Sequence, residues 1–214
     1  MKMIRTVACL LIVFVLSSCR SSLLADLTTG HGERFFWDDF TEPSGQWPVY
    51  TTDDGAYAPS DGEYHISVTT PFYQMWALSG HAYRDVQIEA DATRLEGPLA
   101  NLYGLICRAT DKVNFYFFII SSDGYYAIGK MSDNETSLLG QEMMAFNAVI
   151  APGEGINHLR FDCIGSTLTG YINGQMVALT DDTSFQDGDA GLITGSFDEG
   201  GVEVSFDNFV VYKP

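Results

Sequence analysis

Hydrophobic and polar positions alternate along most of this chain. From Arg84 to Ala92 the alternation is strict, with Val86, Ile88, Ala90 and Ala92 on one face and Asp85, Gln87, Glu89 and Asp91 on the other, the period of a half-buried strand. Asn114 to Ile120 (NFYFFII) is apolar on both faces, as in a central strand covered on both sides, and Ser121-Ser122-Asp123-Gly124 joins it to Tyr125–Lys130 as a predicted hairpin. Thr167–Ile172 runs through Asn173-Gly174 into Gln175–Leu179, the strongest short-range hairpin signal present. Val202–Tyr212 (VEVSFDNFVVY) closes the pattern. Nowhere do apolar residues recur at helical spacing over three turns. About a dozen short strands separated by Gly, Asp-Gly and Asn-Gly turns predict an all-β fold, a two-sheet antiparallel sandwich or jelly roll.

The first residues follow a different pattern. Lys2 and Arg5 precede an unbroken apolar run from Val7 to Leu16, which ends in small residues and a cysteine. That is the order of a removable export signal, and the run is about half the ~20 residues a helix needs to cross a bilayer. Leu16-Ser17-Ser18-Cys19 resembles the lipobox of bacterial lipoproteins. The resemblance implies a signal peptide over 1–18, cleavage before Cys19, and acylation of that cysteine, with two or more chains giving durable membrane anchoring. Arg20 stands where some such proteins carry an Asp that retains them at the inner membrane, so that signal is absent. Residues 19–34 then form the lipidated cysteine and a tether rich in Ser, Thr and Gly, and residues 35–214 form one domain with no break in composition. The expected localisation is extracytoplasmic, in the cell envelope.

Composition narrows the partners. The chain carries 11 Lys and Arg against 28 Asp and Glu, a formal charge of −17, and loss of Lys2 and Arg5 with the signal makes the balance more negative still. Nucleic acid would be repelled by such a surface. Cys107 and Cys163 remain as a pair, each in a strand-like run, and an oxidising exterior favours a disulfide between them; two separately buried thiols are the alternative. Neither has a second Cys or His at metal-ligand spacing.

Several segments together resemble the concanavalin A-like lectin and glucanase jelly rolls, and within them the laminin G-like and 3-keto-disaccharide hydrolase-like modules. They are Phe36-Trp37-Asp38-Asp39-Phe40 followed by Trp47, Tyr103–Arg108 with Asn114-Phe115-Tyr116, Asn157–Arg160, Tyr171–Gly174 and Phe206–Phe209. The resemblance implies a carbohydrate-binding module, with a structural or adhesion domain lacking a small ligand as the competing reading; a fold of this kind does not decide between them.

Candidate sites follow from residue chemistry. Alternation over Phe35–Phe40 places Asp39 with Phe35 and Trp37, and Asp207 with Phe209 and Val211. A carboxylate among apolar neighbours needs a hydrogen bond, a counter-charge or a metal. In such jelly rolls the first and last strands are neighbours, so Asp38 or Asp39 could meet Asp207 around a structural calcium completed by backbone oxygens; the plain alternative is local hydrogen bonding to turns. For sugar contact the Pro71–Trp76 stretch is the most suggestive, with Tyr73 and Trp76 as stacking rings and Arg108, Asn114 and Tyr116 as polar companions. Catalysis is not expected. The Glu-x-Asp-x-x-Glu strand of retaining glucanases begins at Glu89-Ala90-Asp91, but Arg94 occupies the third carboxylate position, which leaves Glu89 and Asp91 as the solvated side of a strand. His158, beside Asn157 at a strand start, reads as structural.

Overall fold

The computed structural model describes residues 32–42 and 44–214; the signal, Cys19 and residues 20–31 of the tether lie outside them. Along the chain the strands are β1 (Arg34–Asp38), β2 (Tyr50–Thr52), β3 (Gly55–Ser60), β4 (Glu63–Val68), β5 (Gln74–Tyr83), β6 (Val86–Glu96), β7 (Asn101–Asp111) and β8 (Asn114–Ile120), then β9 (Tyr125–Ser132), β10 (Glu135–Leu138), β11 (Ala145–Phe146), β12 (Asn157–Ile164), β13 (Thr167–Ile172), β14 (Gln175–Asp181), β15 (Gly188–Ser196) and β16 (Val202–Tyr212). All pairings are antiparallel, and the described residues contain no helix.

Two sheets result. The nine-stranded sheet has the order β14-β13-β12-β6-β16-β4-β3-β2, with β1 flanking β16; the seven-stranded sheet has the order β10-β9-β8-β7-β15-β5, with β11 beside β9. First and last strands are therefore neighbours, with Asp38 opposite Phe209.

Alternation dictates what lies between the layers. Tyr64, Ile66 and Val68 of β4, Ile88, Ala90 and Ala92 of β6, and Leu159 and Phe161 of β12 meet Tyr103 and Leu105 of β7 and Tyr116, Phe118 and Ile120 of β8, all fully buried. Burial of side chains this size contributes roughly 1.5–3 kcal/mol each. The Cys107–Cys163 disulfide crosses the same core from β7 to β12, with Cα atoms 6.7 Å apart, which resolves the open alternative in favour of the bridge.

Strand β8 is apolar on both faces because both are covered. Phe115, Phe117 and Ile119 point away from the main core into a second apolar cluster with Leu102, Ile106 and Ile193, on the outer face of the seven-stranded sheet.

Two irregularities displace residues from their expected faces. In β16 the register slips between Asp207 and Val210, and Asn208 takes a left-handed conformation (φ 53°). This bulge brings both Phe206 and Phe209 into the core and turns Asp207 outward opposite Asp91, so Asp207 does not share a face with Phe209 and Val211 as strict alternation predicts. In β1, Phe35 and Trp37 are about half exposed (47% and 48%) while Asp38 is buried; the face assigned to Asp39 with those rings is the solvent face.

Candidate functional site

Gln74, Trp76 and Leu78 alternate with the buried Met75 and Ala77, so β5 presents them on the outer face of the seven-stranded sheet. There they line a hollow of about 350 Å³ together with Tyr73, Tyr50, Tyr57, Pro48 and Lys112. The β2–β3 hairpin supplies one wall. Tyr50 lies opposite Tyr57 in register, their rings stack at 5.5 Å, and Tyr57 stacks in turn on the buried Tyr64, whose hydroxyl donates to the Pro48 carbonyl at 2.6 Å. Trp76 is half-buried and leans on Phe115 at 5.4 Å, which fixes its ring, and Tyr73 remains 40% exposed. Burial, and secondarily the neighbouring Tyr50, push the Tyr57 hydroxyl above its ordinary value, so it stays protonated and able to donate at neutral pH.

Lys112 sits at the tip of the β7–β8 hairpin. Asp111 shapes that turn by accepting from the Val113 N–H at 2.8 Å and from Asn114 Nδ2. Gln74 is shared with a second hollow of about 180 Å³ on the same sheet, walled by Leu102, Phe117, Ile119, Leu138, Met144, Ile193 and Phe197, with Thr136 at its edge. Among the described residues no carboxylate or imidazole lines either hollow. The arrangement offers flat rings, a cation and an amide around an open recess, which suits stacking and hydrogen bonding to a ligand.

Tyr73 and Trp76 are thus brought together, while the three polar companions lie elsewhere. Tyr116 is fully buried between the sheets, donating to Asp182 Oδ1 at 2.7 Å and accepting from the Phe185 N–H at 3.0 Å. Asn114 belongs to the hairpin that carries Lys112, but its amide is taken up by Asp111 and the Asp133 N–H. Arg108, at a bulge with φ 52°, is buried at the opposite end of β7 from Leu102 and holds four partners of its own.

The aspartates are held separately. Asp38 accepts from the Phe40 N–H at 2.8 Å and from Ser44 Oγ at 2.7 Å, Asp39 from the Thr41 N–H and hydroxyl, and Asp207 from the Asn208 N–H and side-chain amide. Burial and then the nearby Glu63, Asp91 and Asp39 raise the Asp207 carboxyl. Among the described residues no three His, Cys, Asp or Glu side chains converge as metal ligands.

Glu89 and Asp91 lie on the outer face of the nine-stranded sheet, but they are not the solvated pair that alternation predicts. Glu89 is buried, 3.5 Å from His158 Nε2 and 3.9 Å from Arg160 Nε; Asp91 accepts from His158 Nδ1 at 2.8 Å and Asn208 Nδ2 at 2.9 Å. Cations from the neighbouring β12 cover them.

Tyr50, Tyr57 and Lys112 were not among the residues the pattern singles out, whereas Gln74 lies within the Pro71–Trp76 stretch. A partial signal existed for the two tyrosines: Asp53-Asp54-Gly55 marks a turn, but the register that puts Tyr50 across from Tyr57 comes from turning at Asp53-Asp54, with Gly55 opposite Thr52.

No protein-family model matches this chain, and no curated protein matches it in sequence. Solved structures do. A carbohydrate binding module, CBM66 from Bacillus subtilis, superposes with a TM-score of 0.64 at 17% identity, covering 78% of this chain and 96% of its own. A Bacillus subtilis protein of unknown function with a galectin-like fold gives 0.64 at 13% identity over 85% and 96%. A Bacillus licheniformis beta-glucanase gives 0.59 at 14% identity over 86% and 99%. Likeness at these identities concerns the fold: the chain is an antiparallel two-sheet sandwich of the jelly-roll, concanavalin A-like kind.

Proposed function

We propose that this protein is a lipid-anchored, extracytoplasmic, non-catalytic module that binds carbohydrate in the hollow between Tyr50, Tyr57, Tyr73 and Trp76. The observation that carries the reading is the grouping of four aromatic side chains around about 350 Å³, with Gln74 and Lys112 as polar contacts. A sugar offers an apolar ring face for stacking and hydroxyls for hydrogen bonds, and rings already braced by Phe115 and Tyr64 lose little entropy on contact. The fold shared with a carbohydrate binding module is consistent with this. The disulfide fits an oxidising compartment outside the cytoplasm, and the lipobox-like Leu16–Cys19 fits attachment there.

The test is glycan-array binding by the full chain in detergent, compared with Trp76→Ala and with Tyr50→Ala, whose half-exposed ring makes it the safer variant for folding. Each substitution is expected to weaken binding at least about fivefold, equivalent to ~1 kcal/mol of ring contact. Absence of any glycan signal, or binding indifferent to both substitutions, would refute the site. Labelling with radioactive palmitate should mark the wild type and spare Cys19→Ala; equal labelling removes the anchor from the proposal.

A further inference from the structure

Away from the aromatic hollow, the end of the sandwich where β5 turns into β6 brings Arg84 and Arg108 together. Arg108 is 2% exposed, and its guanidinium donates to the carbonyls of Arg84, Phe185 and Cys163 and to Asp85 Oδ1 at 3.1 Å, which leaves one Nη1 N–H over. Asp85 also accepts from the Gly165 N–H at 2.8 Å. Arg84 stands beside this pair with an exposed side chain that has no carboxylate partner among the described residues. Two guanidiniums, of which only Arg108 is paired to Asp85, thus border a hollow of about 290 Å³ whose remaining wall includes Ser166, Thr183 and Gln186. Burial disfavours the charged form of Arg108, Asp85 and Tyr116 oppose that effect, and Arg84 is close enough to add to it. An incoming anion would relieve that imbalance, and hydroxyl and amide groups stand ready to bond its neighbours.

Beyond Arg84 the surface continues into a wider hollow of about 610 Å³, where the rings of Phe35 and Tyr83 stack at 5.8 Å and Lys213 adds a third cation. Cations with hydroxyl and amide donors on one side and an aromatic platform on the other are complementary to a sugar ring bearing a charged substituent.

We propose that these joined hollows form a second binding site, for an acidic saccharide, in which Arg84 and Arg108 receive the anionic group and Phe35 and Tyr83 receive the ring face. Arg84 and Lys213 make the contacts that can be removed without disturbing the fold, since neither side chain is buried or paired, whereas Arg108 also ties β7 to β12.

The experiment uses the chain bearing Cys19→Ala, which keeps any acyl anchor out of the measurement. Titration calorimetry with trigalacturonate, its methyl ester, inorganic sulfate and phosphatidylglycerol vesicles separates the sources of negative charge. Trigalacturonate should bind, its uncharged methyl ester should bind at least tenfold more weakly, and Arg84→Gln should weaken trigalacturonate about tenfold, with Lys213→Gln acting in the same direction. Trp76→Ala should leave this binding unchanged, so failure here and failure of the aromatic hollow are separate results. The proposal is overturned if trigalacturonate does not bind, if Arg84→Gln has no effect, if sulfate binds as tightly, or if only the vesicles bind.

Discussion

His158 lies between two carboxylates, 2.8 Å from Asp91 Oδ1 and 3.5 Å from Glu89 Oε2. The bond to Asp91, then that to Glu89, raises the imidazole to about 9, against the opposing effect of burial, and Asp91 is lowered in return, chiefly by the same bond. A folded-state value above the unfolded one near 6.5 means that the charged pair stabilises the protein fully below that pH and loses its contribution as pH rises through about 9. The melting temperature is therefore expected to fall between pH 7 and pH 9.5, and His158→Gln should flatten that slope; an unchanged slope would show that the pairing contributes nothing. Half-exposure of the ring screens the interaction and keeps the effect modest. The pattern along the chain placed His158 at a strand start with a structural role, but not its partners: Glu89 and Asp91 precede it by more than sixty positions, and only the β6–β12 pairing brings them together. Asp182 is similar. Burial works against its charge, yet bonds from Lys130, Ser184 and Tyr116 hold its carboxyl well below the usual range.

Among the elements, the β13–β14 hairpin follows most directly from composition. Ile172 pairs with Gln175 across Asn173-Gly174, whose φ values of 51° and 80° are both left-handed, as a two-residue turn between twisted strands requires. Asn173 does more than turn the chain: its amide donates to the Val149 carbonyl and to Asn157, and its oxygen accepts from the His158 N–H. Nothing lies within 4 Å of a Cβ placed at Gly174, so Gly174→Ala tests the backbone alone. It should cost about 1–2 kcal/mol, measured as a shift in the urea midpoint at constant slope; a cost near zero would mean the turn adopts another form. Strand β16 shows the limit of such inference. Its written alternation through Asp207 is unbroken, and the added residue at Asn208 becomes visible only once Phe206 and Phe209 compete for the same core face. The double-sided apolarity of β8 was legible as a covered central strand, though not that its second cover is a cluster beside the aromatic hollow. That hollow was half legible. Tyr73 and Trp76 stand out as rings beside one another in sequence, whereas Tyr50, Tyr57 and Lys112 arrive from two other hairpins whose placement depends on sheet order.

For the whole molecule, the order of strands makes β7 and β12 face each other across the core although they are distant in the chain. The bridge between Cys107 and Cys163 closes a separation of 56 residues, and a loop of that size constrains the unfolded chain by up to about 4 kcal/mol. Paired replacement, Cys107→Ala with Cys163→Ala, is expected to lower unfolding free energy by about 2–4 kcal/mol in urea, with reductant reproducing the effect on the wild type. A smaller loss would point to core packing as sufficient to register the two sheets.

The pairing of β1 with β16 also has a practical outcome. Lys213 donates its N–H to the Glu33 carbonyl at 2.8 Å, so the polypeptide arrives at and departs from the domain at a single corner. A reporter fused after Pro214 would emerge beside Glu33, next to the start of β1. It would leave the aromatic recess of the opposite layer open for capture on a sensor surface.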